Sequence, residues 1–275
     1  MREIKIVWVT LTLGGNKINN PLPICVAIPV FSILKAKLNA KIAVKRNAQY
    51  IEFRLDYYKK ITEINSSKLS KLVKSVPVPV ILTLKEVNEE IQLKIPEQKT
   101  IELIKKCIEA KPSFVDIETH NTKDNLKLIY SIAIKNGVGV IFSYHDFKST
   151  PNEQDLMKMV SKIVKKCPSL ENSSLNKSIP RSILKMVFFA QTFQDNKTIL
   201  NICNKLDDLN INFICFNMGK KGLFSRIFSI TKGAIISYAK LEETLHTAPG
   251  QISIKRFYYL YKKGEQSASK EIAGF

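Results

Sequence analysis

Residues 136–147 read NGVGVIFSYHDF. Asn136-Gly137 is a turn signal, the apolar run Val138–Ser143 (VGVIFS) is a short buried strand, and His145 and Asp146 close it with polar side chains. A near-continuous apolar run of this length suits a parallel strand covered on both faces, not a half-exposed antiparallel one. Seven more runs share its texture: Pro23–Ile28 (PICVAI), Tyr50–Leu55 (YIEFRL), Val78–Leu84 (VPVILTL), Ser113–Glu118 (SFVDIE), Ile183–Ala190 (ILKMVFFA), Asn212–Asn217 (NFICFN) and Ala234–Ala239 (AIISYA). Between them lie lysine-bearing stretches with apolar residues three and four apart, such as Thr100–Ala110, Lys123–Lys135 and Asn152–Lys166, which read as one-sided helices. Eight strand–helix units predict a closed (β/α)8 TIM barrel. A doubly wound open sheet is the alternative, but no G-x-G-x-x-G follows the first strand. The expected organisation is an N-terminal extension of strand and turn over 1–21, the barrel over 22–265 and a tail over 266–275. The polar, proline-bounded stretch Cys167–Ser182 reads as a long loop before the sixth strand.

The chain has 275 residues, 45% hydrophobic and 24% charged, a globular composition rather than a disordered one. No apolar run reaches the roughly 18 to 20 residues that span a bilayer. The start, MREIKIVWVTLTLGG, carries charge within a short β-branched run and reads as a strand rather than a leader, so a cytoplasmic protein is expected. Five scattered cysteines without a C-x-x-C pair give no support to a zinc site or redox dithiol, and burial is their expected use. The net charge of +19 raises the question of a nucleic-acid partner. Arginine, however, occupies only six positions (2, 46, 54, 181, 226 and 256), and the lysines are spread without a block or an aromatic-interleaved stripe. That pattern fits a solvated surface and an anionic small substrate better than a nucleic-acid reader.

Charged residues inside apolar strands carry the functional signal, because a buried charge is costly unless paired or used. In IEFRLDYY, Glu52, Arg54 and Asp56 alternate and are expected to share one face, the lumen of a barrel; an exposed edge strand or a structural ion-pair ladder is the plainer alternative. Lys185 lies within the sixth run; either it snorkels from a strand start, or it points inward with a lowered pKa, as a neutral amine able to form a Schiff base. His145 is a structural hydrogen-bonding residue or a proton shuttle near neutrality. Arg226, after the seventh strand, could grip a carboxylate, and HTAPGQIS (His246–Ser253) offers a Pro-Gly turn with Thr247 and Gln251 beside it. Amine, shuttle and anion clamp at the strand ends of one barrel suit iminium chemistry on a small anionic ketone.

The segments EFRLDYY, VDIE, SYHDFKSTP, LKMVFFAQT, MGKKGLFSR and TAPGQIS, in this order over about residues 22 to 262, resemble the type I 3-dehydroquinate dehydratases of the shikimate pathway. The resemblance implies a (β/α)8 barrel that converts 3-dehydroquinate to 3-dehydroshikimate through a lysine Schiff base, without metal or cofactor. It implies Lys185 as the Schiff-base lysine, His145 as the acid/base and Glu89 as the glutamate orienting it, with Glu86 and Glu90 as nearby alternatives. Glu52, Phe53, Arg54, Arg226, Thr247 and Gln251 would bind substrate. Lys85 stands where the family has an arginine, Ala27 where a serine contact is common, and Thr247 where the family has a serine; the first two bear on affinity. Partners implied are a small-molecule substrate and a second copy in a homodimer, with neither nucleic acid nor membrane. An aldolase-type Schiff-base barrel, a non-catalytic nucleic-acid-binding barrel and a degenerate enzyme are the competing readings.

Overall fold

The computed structural model of the protein describes residues 11–13, 16–18, 21–88, 93–170, 182–241 and 247–273. The eight runs form eight parallel strands: β1 (Ile24–Pro29), β2 (Tyr50–Arg54), β3 (Val80–Thr83), β4 (Phe114–Glu118), β5 (Gly139–Asp146), β6 (Ser182–Phe189), β7 (Phe213–Met218) and β8 (Ser237–Ala239). Each is followed by a helix: α1 (Ile33–Lys45), α2 (Ser66–Val73), α3 (Glu97–Glu109), α4 (Lys123–Lys135), α5 (Glu153–Lys166), α6 (Asp195–Asp208), α7 (Leu223–Phe228) and α8 (Ile254–Ala273). The strand order is β7-β6-β5-β4-β3-β2-β1-β8, so the last strand returns to the first, with Tyr238 opposite Cys25. Across the remaining seam Ile235 N–H donates to the Phe213 carbonyl at 3.0 Å. The result is a nearly closed (β/α)8 barrel, as the sequence pattern predicts.

Strand alternation sorts the side chains into two layers. Val26, Ile28, Ile51, Phe53, Leu82, Val115 and Ile117 face the helices and join the main core. Cys25, Ala27, Ile81, Phe114, Ile141, Ile183, Val187, Ile214 and Phe216 face inward and pack the lumen. Helix starts carry the side-chain caps their sequences offer: Asn152 accepts from Asp155 N–H at 3.0 Å, and Thr122 from Asn125 N–H at 3.2 Å. All five cysteines are buried and free, as expected.

Several boundaries differ from the sequence reading. β5 runs to Asp146 because β6 pairs with it that far, Val187 opposite His145 and Phe188 opposite Asp146, so the histidine sits on the strand end rather than beyond it. β8 is only three residues long, and α8 continues across residue 265 to Ala273. Of the N-terminal extension, Leu11–Leu13 pairs antiparallel with Asn16–Ile18; most of the expected loop before β6, residues 171–181, lies outside the described residues. No described helix is long and apolar enough to cross a membrane.

Phe53 is corrected as a substrate contact. Its neighbours Glu52 and Arg54 face the lumen, so its own ring is turned into the helix-side core, fully buried. Phe53→Ala is expected to act as a core truncation, costing about 3–5 kcal/mol in urea unfolding, while the KM for any substrate of the folded variant stays near that of the parent.

Candidate active site

At the C-terminal ends of the strands the lumen opens into a cavity of about 430 Å³, lined among others by Glu52, Arg54, Lys85, Glu118, His145, Lys185, Arg226, Thr247 and Gln251. This is the end of a barrel at which sites form. Strand parity delivers the residues: Lys185 stands opposite Ser143 in the β5–β6 register, Glu118 opposite the same Ser143 in β4–β5, and Asp116 opposite Thr83 in β3–β4.

Lys185 is at the centre. Its Nζ donates to Asp116 Oδ2 at 2.9 Å and Glu52 Oε1 at 3.4 Å, and lies 4.6 Å from the centroid of the Tyr238 ring. Glu52 also accepts from Thr83 Oγ1 at 2.9 Å, and Asp116 from Ser143 Oγ at 2.6 Å. Burial alone would push the lysine's pKa down, but Asp116 and Glu52 outweigh it and hold the ammonium above its ordinary value. Burial likewise works to raise Asp116, yet Lys185 and Lys85 bring it well below the usual carboxylate range. This corrects the expected lowering of the Lys185 pKa. That expectation took only desolvation and cationic neighbours into account, whereas the inward face carries carboxylates. Burial pushes the Tyr238 phenol up and Glu52 adds to it, so the hydroxyl stays protonated and donates to Glu52 at 3.4 Å.

His145 meets a different carboxylate. Its Nδ1 is 3.1 Å from Glu118 Oε1. The same Oε1 accepts from the ammonium of Lys85, which also lies 3.6 Å from Asp116 and 3.4 Å from Ser143 Oγ. Burial lowers the His145 pKa, Lys85 lowers it further and Glu118 raises it, with a net fall. Burial would raise Glu118, but Lys85 and His145 hold it at about 2. At neutral pH the pair is therefore a carboxylate beside a largely neutral imidazole, and with Nδ1–H directed at Glu118 the lone pair sits on Nε2. The ring of Phe147 stacks on the imidazole, centroids 6.0 Å apart.

A buried arginine from the helix after β7 lines the same cavity. Arg226 is 1% exposed, its guanidinium 4.4 Å over the Phe216 ring, with Nη2 donating to the Pro249 carbonyl at 3.3 Å. Among the described residues its Nε has no partner and no carboxylate pairs with it. Burial pushes its pKa down to about 9, which leaves it charged at neutral pH. The Pro249-Gly250 turn ties the loops after β7 and β8 together: Gly219 N–H donates to Pro249 at 3.2 Å, and a Cβ on Gly250 (φ +69°) would strike the Gly219 backbone.

The structure thus brings together Lys185, His145, Glu52, Arg54, Lys85, Arg226, Thr247 and Gln251. It turns some of them to other work. Asp56 does not share the lumen face with Glu52, because the chain leaves the strand in a 3-10 turn over Leu55–Tyr57. There Asp56 grips Arg54 bidentately at 2.9 and 2.8 Å, and Arg54 Nη1 donates to the Thr247 carbonyl at 3.1 Å. Gln251 accepts from Thr247 N–H at 3.0 Å and donates to the Ala239 carbonyl at 3.2 Å, bracing the loop after β8. Ala27 packs in the apolar lumen, 4% exposed, and offers no polar group. Glu89 and Glu90 lie outside the described residues, and Glu86 pairs with His120 at 3.3 Å. The carboxylate beside His145 is Glu118, one strand over. Sequence reasoning missed Asp116, Glu118 and Tyr238, although the first two alternate in FVDIE just as Glu52 and Arg54 alternate in IEFRL.

A (β/α)8 barrel that gathers a buried lysine, a histidine–carboxylate pair and an uncompensated arginine in one cavity is an enzyme site for a small molecule. Comparison with known proteins agrees. A family model described as type I 3-dehydroquinase matches residues 24–267. The chain is 30% identical over 240 residues to the 3-dehydroquinate dehydratase of Methanococcus maripaludis strain C7, covering 87% of this chain and 98% of that one. In fold it is similar to the 3-dehydroquinate dehydratase of Geobacillus kaustophilus (TM-score 0.74, 18% identity, 94% and 97% of the two chains). A second similar structure is a type I enzyme from Clostridium difficile, solved with covalently modified comenic acid (TM-score 0.73, 20% identity, 94% and 99%). The chain belongs to the type I 3-dehydroquinase family.

The electrostatics of Lys185 can be read directly. In Asp116→Asn the ammonium loses its nearest counter-charge, so its pKa falls; the pH at which Lys185 becomes labelled by a small aldehyde with cyanoborohydride should drop by on the order of 1–3 units, followed by peptide mass spectrometry.

Proposed function

We propose that the protein dehydrates 3-dehydroquinate to 3-dehydroshikimate, with Lys185 as Schiff-base amine and His145 as acid/base. The observation that carries this reading is the placement of the two side chains: Lys185 and His145 lie on neighbouring strands, two residues apart in register, in one cavity that Arg226 also lines, with no carboxylate on it among the described residues.

The chemistry follows from the charges. An unprotonated Lys185 Nζ attacks the substrate's ketone carbon, and the carbinolamine loses water to give an iminium. Asp116 and Glu52 stabilise the ammonium at rest, and they stabilise equally a cationic iminium at the same position. The cost is that the ammonium must first lose its proton against that field. The iminium draws electrons from the adjacent C–H, whose proton passes to Nε2 of His145 and leaves an enamine. The enamine electrons expel the hydroxyl on the next carbon, His145 returns the proton to it, and water departs. Hydrolysis of the conjugated iminium releases the enone and restores the amine. Glu118 stabilises the imidazolium during the interval in which it carries the proton. Arg226 suits the substrate carboxylate, since a buried guanidinium with an idle N–H gains most from a bidentate anion. A homodimer acting in the cytoplasm, as part of aromatic biosynthesis, belongs to this reading.

Addition of 3-dehydroquinate should produce the ultraviolet absorbance of a conjugated enone. His145→Ala is expected to stay folded by circular dichroism and to lose about 10²–10⁴-fold in kcat, and Lys185→Ala to show no enone. Parent-like turnover in Lys185→Ala would overturn the reading.

A further inference from the structure

Lys85 is committed to the protein. An ammonium has three N–H donors; among the described residues Lys85 hydrogen-bonds Glu118 Oε1 and Ser143 Oγ at 3.4 Å, and Asp116 Oδ1 is an ion-pair partner at 3.6 Å. The carboxylate oxygen that meets it is also the one 3.1 Å from His145 Nδ1. An arginine here could serve a protein carboxylate with one edge of its fork and a ligand with the other, but a lysine is a point charge without a second edge. Its position at the end of β3, beside strands β4 and β5, makes it the tie between Glu118, which holds the histidine, and Asp116, which holds Lys185.

We propose that Lys85 is a positioning residue: its ammonium clamps the Glu118 carboxylate against Nδ1 of His145, keeping Nε2 as the basic nitrogen in the cavity, and it is not a grip for the substrate. This rests on the dehydratase reading only for its effect on rate; the clamp itself belongs to the ligand-free protein. Among the described residues, the charged groups that act on His145 are Lys85 from the end of β3, Glu118 and Asp116 from β4, and Lys185 from β6. With Lys85 in place the carboxylate is shared between two cations, and its pull on the imidazolium is divided. Without Lys85, Glu118 is left to His145 alone, a positive neighbour of the ring is gone, and the imidazolium becomes easier to form. The base is then protonated over part of the pH range in which it must accept a proton.

The test is the titration of His145 by NMR of histidine-labelled, ligand-free protein, where only three histidines contribute signals and His145→Ala assigns the one of interest. Lys85→Met should move the His145 titration upward by on the order of one pH unit. The acid limb of the kcat profile should follow it, a tenfold loss of rate on the acid side per unit, with KM changed far less. Lys85→Arg, which keeps the charge, should restore both. If Lys85→Met does not fold, Lys85→Gln carries the same readout. An unmoved His145 titration in a folded neutral variant, with KM raised and kcat kept, would overturn the clamp and make Lys85 a substrate contact. A shifted titration in a protein whose parent shows no dehydration would sustain the clamp and sink the dehydratase reading instead.

Discussion

The ion pair between Lys185 and Asp116, with Glu52 as its second carboxylate, is the constraint on which the rest of the lumen depends. Both members are nearly inaccessible to water, and breaking a buried pair by removal of one partner typically costs about 3–5 kcal/mol; here Glu52 for Lys185 and Lys85 for Asp116 remain as partial compensation. The surrounding groups are arranged to make the burial tolerable. Ser143 and Lys85 serve Asp116, Thr83 and Tyr238 serve Glu52, and the Tyr238 ring covers the open side of the ammonium. They come from β3, β5 and β8, while Glu52, Asp116 and Lys185 come from β2, β4 and β6, so the charges can be satisfied only when these six strands are in register. The barrel and the site specify one another.

The same network divides the labour between two lysines. Lys185 is surrounded by acid and stays cationic, a poor nucleophile at rest but well matched to a cationic adduct. Lys85 sits between Asp116 and Glu118 and links the lysine's surroundings to those of the histidine. Through Glu118, His145 has a carboxylate that is ionised at any physiological pH, while burial keeps the imidazole largely neutral. Two carboxylates on alternate positions of one strand thus serve two different partners. Arg226 lines the same cavity, and among the described residues no carboxylate pairs with it; Asp56 is spent on Arg54. Arg54 in turn fastens the Thr247 backbone, so the loop after β8 is held from the β2 side as well as from β7.

Much of this was legible in the sequence because barrels are read by alternation. Eight apolar runs separated by one-sided helical stretches gave the architecture, and the run ending in His145 and the lysine within ILKMVFFA pointed to the lumen. Arg226 and the Pro-Gly turn were legible as an anion clamp from their place after the seventh and eighth strands. What escaped has physical reasons. Phe53 and Glu52 are neighbours in a motif, but the pleat sends them to opposite layers. Asp56 follows Arg54 by two, which would be the same face on a strand, yet the strand ends at Arg54. The lysine's pKa was expected to fall because burial and cations were weighed without its counter-charges, and those come from β2 and β4, far from it in sequence. Glu118, 3.1 Å from His145, likewise comes from the neighbouring strand β4 and is far from the histidine in sequence, while Glu89 lies outside the described residues.

On the dehydratase reading proposed above, Lys185 becomes covalently bound to the substrate's ketone carbon. Borohydride reduction in the presence of 3-dehydroquinate, followed by intact and peptide mass spectrometry, tests it most directly. A single stable adduct of the reduced imine is expected on the β6 peptide, at Lys185. An adduct on Lys85 instead, or none at all on folded protein that still forms the enone, would contradict it.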